Sequence, residues 1–540
     1  MFPRPHQIRT ARYHAAGYWG KRTIPAMIAA SAAAHSDKAA VRDASGLSLS
    51  YRELDVQAGR LAGYLAAHGV GVGDIVTLCL PNWCQTVVAF LAVMKVGAVV
   101  NPVPVTYGRA DLAFVLSKCE SKALFIPSRF RSTDFIDRVA ALPPDLRDCL
   151  AVIRIGDGGN ADVGVPFEAA AAFEPALPAV KTAADDPVAV LFTSGTESRA
   201  KGAVHTHNTI LFGELSLART LGFGAEDVAF MASPISHTTG FMHGVMMTLA
   251  LGGTLSLLDI FEGAAAARQM AEHEATWTMG ATPFLSDIVD ALAASGGTLP
   301  SLRYFLCGGA PVPEVLVRRA ADIGLRVLSI YGSTESPPHT VVHPEDPPEN
   351  AWSTDGRPLE GIEVRVVSPE GQDVPIGETG EEWSRGPNTF LGYLGEPELT
   401  ARDLDRDGWY HSGDVARRLA DGSIRLSGRI KDIIVRGGQN ISAREVEDYL
   451  ASHPAVAAVA VVGMPHLRLG ETSCAVVVTR DGQRLTLEEI TDFLVAKGIA
   501  RFKLPERLEI WPHLPMNPSG KIQKFLIRKS LTEAPEGQSP

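Results

Sequence analysis

Cysteine is scarce in this chain of 540 residues: Cys79, Cys84, Cys119, Cys149, Cys307 and Cys474 make six, and no two form a C-x-x-C pair. That density is too low for a disulfide scaffold and fits a reducing compartment, where the thiols act as buried fillers. An excess of basic charge is also missing. Lys and Arg total 50 against 61 Asp and Glu, for a formal charge of -11, which argues against nucleic acid as a partner. Any bound polyphosphate must then be neutralised locally by lysine, arginine or a metal ion, with magnesium (Mg2+) the expected companion. The opening stretch MFPRPHQIRTARYHAAGYWGKR has no apolar h-region, so no signal peptide is expected and the cytoplasm is the expected location. Long hydrophobic runs are lacking too. Residues 241–258 carry no charge, but His243, Gly244, Gly252 and Gly253 interrupt them, which predicts a buried helix followed by a strand and no integral membrane segment. There is no internal repeat, and only the tail TEAPEGQSP reads as disordered.

What is present is organised. The length allows roughly two to four domains. From about residue 48 to 360, strand-like runs (DIVTLCL, AVLFTS, GTLSLLD, RYFLCGG, RVLSIYGS) alternate with helical stretches such as YRELDVQAGRLAGYLAAHG. This alternation predicts an α/β fold of largely parallel sheets with helices packed on them. Residues 361–430 change to short strands and frequent turns, as in a small β subdomain. In the last hundred or so residues, Ser442 with Glu445 and Thr486 with Glu489 read as capping boxes ahead of helices. Leu485 is placed to staple onto Ile490. With VAAVAVVGM and SCAVVVTRDG as strands, these devices predict a compact α+β C-terminal domain. The expected division is 1–430, including the subdomain, and 431–540.

The stretch LFTSGTESRAKGAVHTH gathers hydroxyls (Thr193, Ser194, Thr196), glycines (Gly195, Gly202) and Lys201 after the strand VAVLF. Such a loop suits a polyphosphate. It is not a Walker loop, which would need glycine at Ala200 and a hydroxyl at Gly202. Ligands of open α/β sheets sit at strand C-terminal ends, and CGGA and YGSTES follow two further strands, so three polar loops are expected to converge on one crevice.

Five segments stand in order: TSGTESRAKG, GGAP (308–311), YGSTE (331–335), YHSGD with GRIKDIIVRGGQNIS (410–442), and NPSGKIQK (517–524). The ordered set resembles the AMP-forming adenylating superfamily of acyl- and aryl-CoA synthetases, peptide-synthetase adenylation domains and luciferases. PISHTTGF, SIYGSTES, IVRGGQNIS and SGKIQKFLIRK look most like bacterial short- and medium-chain acyl-CoA synthetases and cyclohexanecarboxylate-CoA ligases. The resemblance implies ATP, Mg2+ and coenzyme A. It assigns Asp414 and Arg429 to the ATP ribose, makes Lys521 essential for adenylation, and sets His237 beside the acyl pocket as a gate to thiol attack. It also has the C-terminal domain rotate about Lys431, bringing Gly437 and Gly438 to a pantetheine channel.

The residues themselves support these roles. Asp414 can accept from a ribose diol, and Arg429 adds a donor. Tyr331 offers a face to adenine, Thr334 can reach the α-phosphate, Glu335 is a hard oxygen ligand for Mg2+, and Gly332 between them counts among the expected nucleotide-binding residues. Gly308, Gly309 and Ala310 leave room for the adenine edge, or merely turn a strand end. Lys521 offsets the repulsion between an attacking carboxylate and the α-phosphate. His237 reads equally as a core histidine, and Gly437 and Gly438 equally as a plain turn.

The pattern departs from the family loop T-S-G-T-T-G-x-P-K-G at Glu197, Ser198, Arg199 and Ala200, which puts the loop's stiffness in question; Arg199 either contacts pyrophosphate or faces solvent. No acid near His237 would hold an α-amino group, and TTGFMHGVMM and GATPFL bring no lysine or arginine to read a second carboxylate. The expected activity is therefore an acid-CoA ligase for an apolar monocarboxylic acid, with Lys201, His237, Glu335 and Lys521 as the catalytic set. The alternatives are loading of a carrier protein, an aryl acid of benzoate type, a luciferase-like oxygenase and an adenylate-binding protein without turnover. Expected partners are the small carboxylic acid, ATP and CoA, with a homodimer left open.

Overall fold

The computed structural model describes residues 2–3, 7–148, 150–156, 163–174, 180–193, 200–309, 312–517 and 519–533. Cys149, Ser194, Gly195, Thr196, Glu197, Ser198, Arg199, Ala310 and most of the C-terminal tail lie outside the described residues. The tail's first residues, Thr532 and Glu533, end the helix Lys524–Glu533.

The α/β expectation holds. Among the described residues, nine strands form one sheet and eight another, each parallel through its middle, with antiparallel strands at both edges of the first and at one edge of the second. The helices Tyr51–Ala67 and Cys84–Lys95 share one apolar core with residues of both sheets. The first buries Tyr51, Leu54, Ala58, Leu61 and Leu65 at helical spacing. It starts at Ser50, which accepts from the Glu53 N–H while the Glu53 carboxylate accepts from the Ser50 N–H, a reciprocal cap worth about 1 kcal/mol. The second is buried along nearly its whole length, and its Cys84 N–H donates to the Asp43 carboxylate at 2.9 Å. An acid from another element thus answers the positive end of this helix. Five cysteines, Cys79, Cys84, Cys119, Cys307 and Cys474, are buried free thiols, as expected.

One side chain ties the two large sheets together. Asn82, just beyond strand Ile75–Leu78, is buried; its amide donates to the carbonyls of Ser233 and Leu258, both at 3.0 Å, and its Oδ1 accepts from Ile235 N–H at 2.9 Å. The segment that carries His237 is therefore fixed to the far sheet by hydrogen bonds buried away from water.

Residues 239–258 form a buried helix and then a strand, with one refinement. Thr239–Met247 is π-helical, Thr248–Leu251 is α-helical, and Thr254–Leu257 is the strand. Among the described residues, no helix is long and apolar enough to cross a membrane.

Strands Glu363–Val367, Thr379–Arg385, Tyr410–Arg418 and Ile424–Arg429 make a four-stranded antiparallel sheet. A single 3-10 turn, Ile430–Asp432, leads to the last, five-stranded sheet. Its long strand Val456–His466 shows period-2 burial: Val459 and Val461 enter one apolar cluster, Ala460, Val462 and Met464 the other. Helices Ala443–Leu450 and Leu487–Ala496 cover the first face, and Lys524–Glu533 the second. The Thr486–Glu489 box forms in full, and Leu485 and Ile490 share the first cluster. The Ser442–Glu445 box forms only in half. Ser442 accepts from Glu445 N–H, but its hydroxyl donates to the Ser427 carbonyl and Glu445 turns to Lys503 at 2.7 Å, because a lysine is a stronger partner for a carboxylate than an amide.

Asn82→Ala strands the Ile235 N–H and two carbonyls in a dry interior. The expected cost is at least about 2 kcal/mol, read as a lower midpoint in thermal or urea unfolding, whereas Asn440→Ala, at an exposed position of strand Gln439–Ser442, leaves the midpoint within error.

Candidate active site

Strands Pro187–Thr193, Tyr304–Cys307 and Val327–Tyr331 end on one cleft of about 1040 Å3, which the four-stranded sheet and the C-terminal sheet unit also wall. The expected convergence is present: Thr193, Lys201, Gly308, Gly309, Tyr331, Gly332, Thr334 and Glu335 all line it. Lys201 opens strand Lys201–Thr206 and pairs antiparallel with Thr193 at the end of the preceding strand. Its ammonium lies 3.4 Å from Asp403 and 5.1 Å from the Tyr393 ring centre. At Gly308 the need for glycine is set by the neighbouring strand, since a Cβ would stand 2.5 Å from the Ile330 carbonyl oxygen.

The YGSTE segment is held from behind. His205, fully buried, bonds the Thr334 carbonyl through Nε2 at 2.8 Å, and burial lowers its pKa to about 4, so the ring is neutral and donates from Nε2. The Thr334 hydroxyl takes a 3.2 Å hydrogen bond from Thr238, which joins this segment to the one bearing His237. Glu335 is buried, and its Oε1 accepts from the Tyr393 hydroxyl at 2.8 Å; the same hydroxyl lies 3.2 Å from Asp403. Tyr331 lines the cleft, but its hydroxyl points away, donating to Asp414 at 2.7 Å.

Asp414 and Arg429 face each other across adjacent strands, with Nε to Oδ1 at 3.0 Å. The Asp414 charge raises the Arg429 pKa further above its usual range, despite burial. Lys521 reaches the cleft from the C-terminal unit. Its turn is built by Asn517, whose Oδ1 accepts from the Ser519 and Lys521 N–H groups at 3.1 and 2.8 Å, and by Gly520 at φ +82. The Arg429 guanidinium first, and partial desolvation of the ammonium within the cleft second, lower the Lys521 pKa to about 8; Asp414, Asp432 and Glu335 pull the other way.

His237 lines the cleft with Nδ1 accepting from Thr239 N–H at 3.3 Å. Burial, aided by Lys521 and His243, lowers its pKa to about 4, so it is neutral at physiological pH. Sequence reasoning missed the pair beside it: His243, on the π-helix and in the cleft wall, meets both oxygens of buried Glu214 at 2.9 Å. The two are 29 residues apart, and no local pattern joins them. Asp403, Tyr393 and Tyr410 were missed likewise. Gly437 and Gly438 are not brought to the cleft; they form the exposed turn between strands Ile433–Arg436 and Gln439–Ser442, at φ +56 and +83. Of the remaining expected site residues, Ser194, Gly195, Thr196 and Ala310 lie outside the described residues.

Parallel-sheet ends carrying polar loops, a small β-sheet with a paired acid and arginine, and a lysine delivered by a separate C-terminal unit define an adenylate-forming enzyme. The AMP-binding enzyme family profile matches residues 28–394, and the AMP-binding enzyme C-terminal domain matches residues 445–521. The chain is 42% identical over 528 residues to the medium-chain fatty-acid–CoA ligase of Escherichia coli (strain K12), covering 97% of this chain and 93% of that one. It is 34% identical over 484 residues to feruloyl-CoA synthase of Amycolatopsis sp, covering 90% and 94%. Among solved structures, ATP-bound MatB from Rhodopseudomonas palustris superposes with a TM-score of 0.84 at 29% identity, over 95% of this chain and 99% of that one. The chain therefore belongs to the AMP-binding enzyme family, as an AMP-forming acid–CoA ligase.

The electrostatics of the cleft are directly measurable. Arg429→Gln removes the nearest positive charge from Lys521, so the pKa of that lysine is expected to move up from about 8 toward the ordinary lysine range. The midpoint of pH-dependent acylation of Lys521, followed by peptide mass spectrometry, reads the shift.

Proposed function

We propose that the chain activates an uncharged, apolar monocarboxylic acid, a short- or medium-chain fatty acid or an alicyclic acid of cyclohexanecarboxylate type, and passes the acyl group to CoA. The observation that carries this is the meeting of Lys521, from one sheet unit, with Thr334, Glu335 and Arg429, from others, in a single cleft. The wall formed by Ser233, His237, Thr238, Thr239, His243, Met279, Gly280 and Ala281 has no lysine, arginine or acid. The Escherichia coli relative takes a medium-chain fatty acid. Each methylene buried there contributes about 0.8 kcal/mol.

In the first step the acid's carboxylate attacks the α-phosphorus of ATP and pyrophosphate leaves. Protonated Lys521 offsets the repulsion between the two anions and the charge of the transition state. Asp414 and Arg429 hold the ribose, and Tyr331, Gly308, Gly309 and Gly332 frame the base. Thr193, Thr334 and Lys201 face the phosphates, Lys201 exchanging Asp403 for them. Glu335 would hold Mg2+. A single buried carboxylate suits an ion that takes its other ligands from phosphate and water, and among the described residues no group of three acids, histidines or cysteines forms a metal cage. When bound, the ion neutralises phosphate charge. In the second step the CoA thiolate attacks the acyl carbon and AMP leaves. His237, neutral at working pH, stands beside the acyl group.

The proposal treats 1–430, with its β subdomain 361–430, and 431–540 as two domains that turn about Lys431 in the Ile430–Asp432 turn. Such a turn would withdraw Lys521 and bring Gly437 and Gly438 inward. Its support is the single turn joining the two sheets and the exposure of both glycines. Cytoplasmic residence belongs to the same proposal, supported by the five buried free thiols.

CoA-dependent AMP formation from ATP and magnesium, measured with butyrate, hexanoate, octanoate, palmitate, cyclohexanecarboxylate and benzoate, is expected to peak on an aliphatic or alicyclic acid. A peak on benzoate would select the aryl reading that the feruloyl-CoA synthase relative favours. Lys521→Ala is expected to lose adenylation by at least about a hundredfold while thiolation of supplied acyl-adenylate is largely kept. Equal survival of both half-reactions would remove the role given to Lys521.

A further inference from the structure

Directly behind the Asp414 carboxylate lies a second acid. Glu382, on strand Thr379–Arg385, is fully buried, and its Oε2 is 3.2 Å from the Tyr331 hydroxyl oxygen, which is itself 2.7 Å from Asp414 Oδ2. A phenol owns one hydrogen, and the shorter contact claims it for Asp414. On its other side, Glu382 Oε1 faces Nε2 of fully buried His339 at 3.5 Å, and neither atom has a hydrogen-bond partner. The His339 Nδ1 is 2.8 Å from the Ser336 carbonyl, an oxygen that can only accept, so the imidazole hydrogen sits on Nδ1 and Nε2 presents a lone pair. The Ser412 hydroxyl beside them donates to the Glu382 backbone carbonyl at 2.7 Å, so four acceptor atoms share the phenol hydrogen in a dry interior, which is costly unless another proton is present.

That proton belongs on Glu382. Burial holds His339 neutral, its pKa lowered to about 4, while burial first and the Asp414 charge with it push Glu382 up to about 8. The groups facing Glu382 are Tyr331 from the nine-stranded sheet, His339 from the loop beyond it, Ser412 and Asp414 from the adjoining strand, and Glu381 beside it on its own strand. Arg429 is paired with Asp414.

We propose that Glu382 is a positioning residue for nucleoside recognition: it keeps a proton and donates it to the Tyr331 oxygen, which commits the Tyr331 hydrogen to Asp414 and fixes that carboxylate toward the ribose. Loss of the proton leaves two carboxylates competing for one phenol hydrogen and repelling each other, and Asp414 no longer has a single orientation. The inference rests on the reading of Asp414 as the ribose acceptor.

Adenosine is the probe of choice, since it has no phosphate for Lys521 to meet, and every titration is repeated in a Lys521→Gln background, which removes that lysine's own titration beside Asp414 and Arg429. In calorimetric titrations of the full chain from about pH 6.5 to 9.5, wild-type affinity is expected to fall above about pH 8, by up to about tenfold per pH unit, the slope of one proton. In Glu382→Gln the amide N–H replaces the carboxyl O–H, and the profile is expected to be flat. An infrared titration of the wild type is expected to show a buried protonated-carboxyl band that disappears over the same range. A flat wild-type profile, a Glu382→Gln profile that still falls, or the absence of the band would each overturn the proposal. If Glu382→Gln does not fold, the wild-type profile and band still decide. Asp414→Asn binding adenosine as tightly as wild type would instead overturn the ribose reading beneath it.

Discussion

The Asp414 carboxylate is the point at which the parts of this molecule meet. Tyr331 reaches it from the nine-stranded sheet, Arg429 from the facing strand of the small antiparallel sheet, and the charge pair so formed acts on Lys521 from the C-terminal unit. Arg429 is the last residue before the turn into that unit, so the pair is also the last fixed contact ahead of the joint. A half-buried ion pair of this kind contributes little net stability. Its value is geometric, because it sets the orientation of an acid and the charge state of a lysine at once.

The same economy runs through the rest of the cleft. Lys201 is held by Asp403, Asp403 approaches Tyr393, and Tyr393 donates to Glu335, so the cation and the acid expected to handle phosphate are linked through one phenol. His205 and Thr238 hold Thr334 from two sides. Lys201, Glu335 and Thr334 are thus each oriented by a second group, which removes part of the entropy that binding would otherwise have to overcome.

Much of this was legible in the sequence. The strand runs, the antiparallel subdomain, the capped C-terminal helices and the order of the five segments pointed to Thr193, Lys201, His237, Gly308, Gly309, Tyr331, Gly332, Thr334, Glu335, Arg429 and Lys521, which share the cleft, because each is a local signal of period, turn chemistry or spacing. What was not legible is non-local. Glu214 and His243, or Glu382 and His339, acquire meaning only when distant strands and helices are packed side by side. Gly308 looked like space for a ligand, yet the Ile330 carbonyl alone already forbids a side chain there. Ser442 and Glu445 had the spacing of a full box, but Lys503, far along the chain, outcompeted the backbone N–H. Tyr331 was read for its ring, whereas its hydroxyl is the part that the fold employs.

The Asn82 tie has a consequence for how such an enzyme changes its diet. With the Ser233–Ile235 stretch locked to the opposite sheet, the inner wall of the cleft behaves as a cast mould and not as a glove. Divergence toward a longer, bulkier or more polar acid would then proceed by exchanging the side chains that project from this wall, one volume at a time. The backbone behind them stays constant.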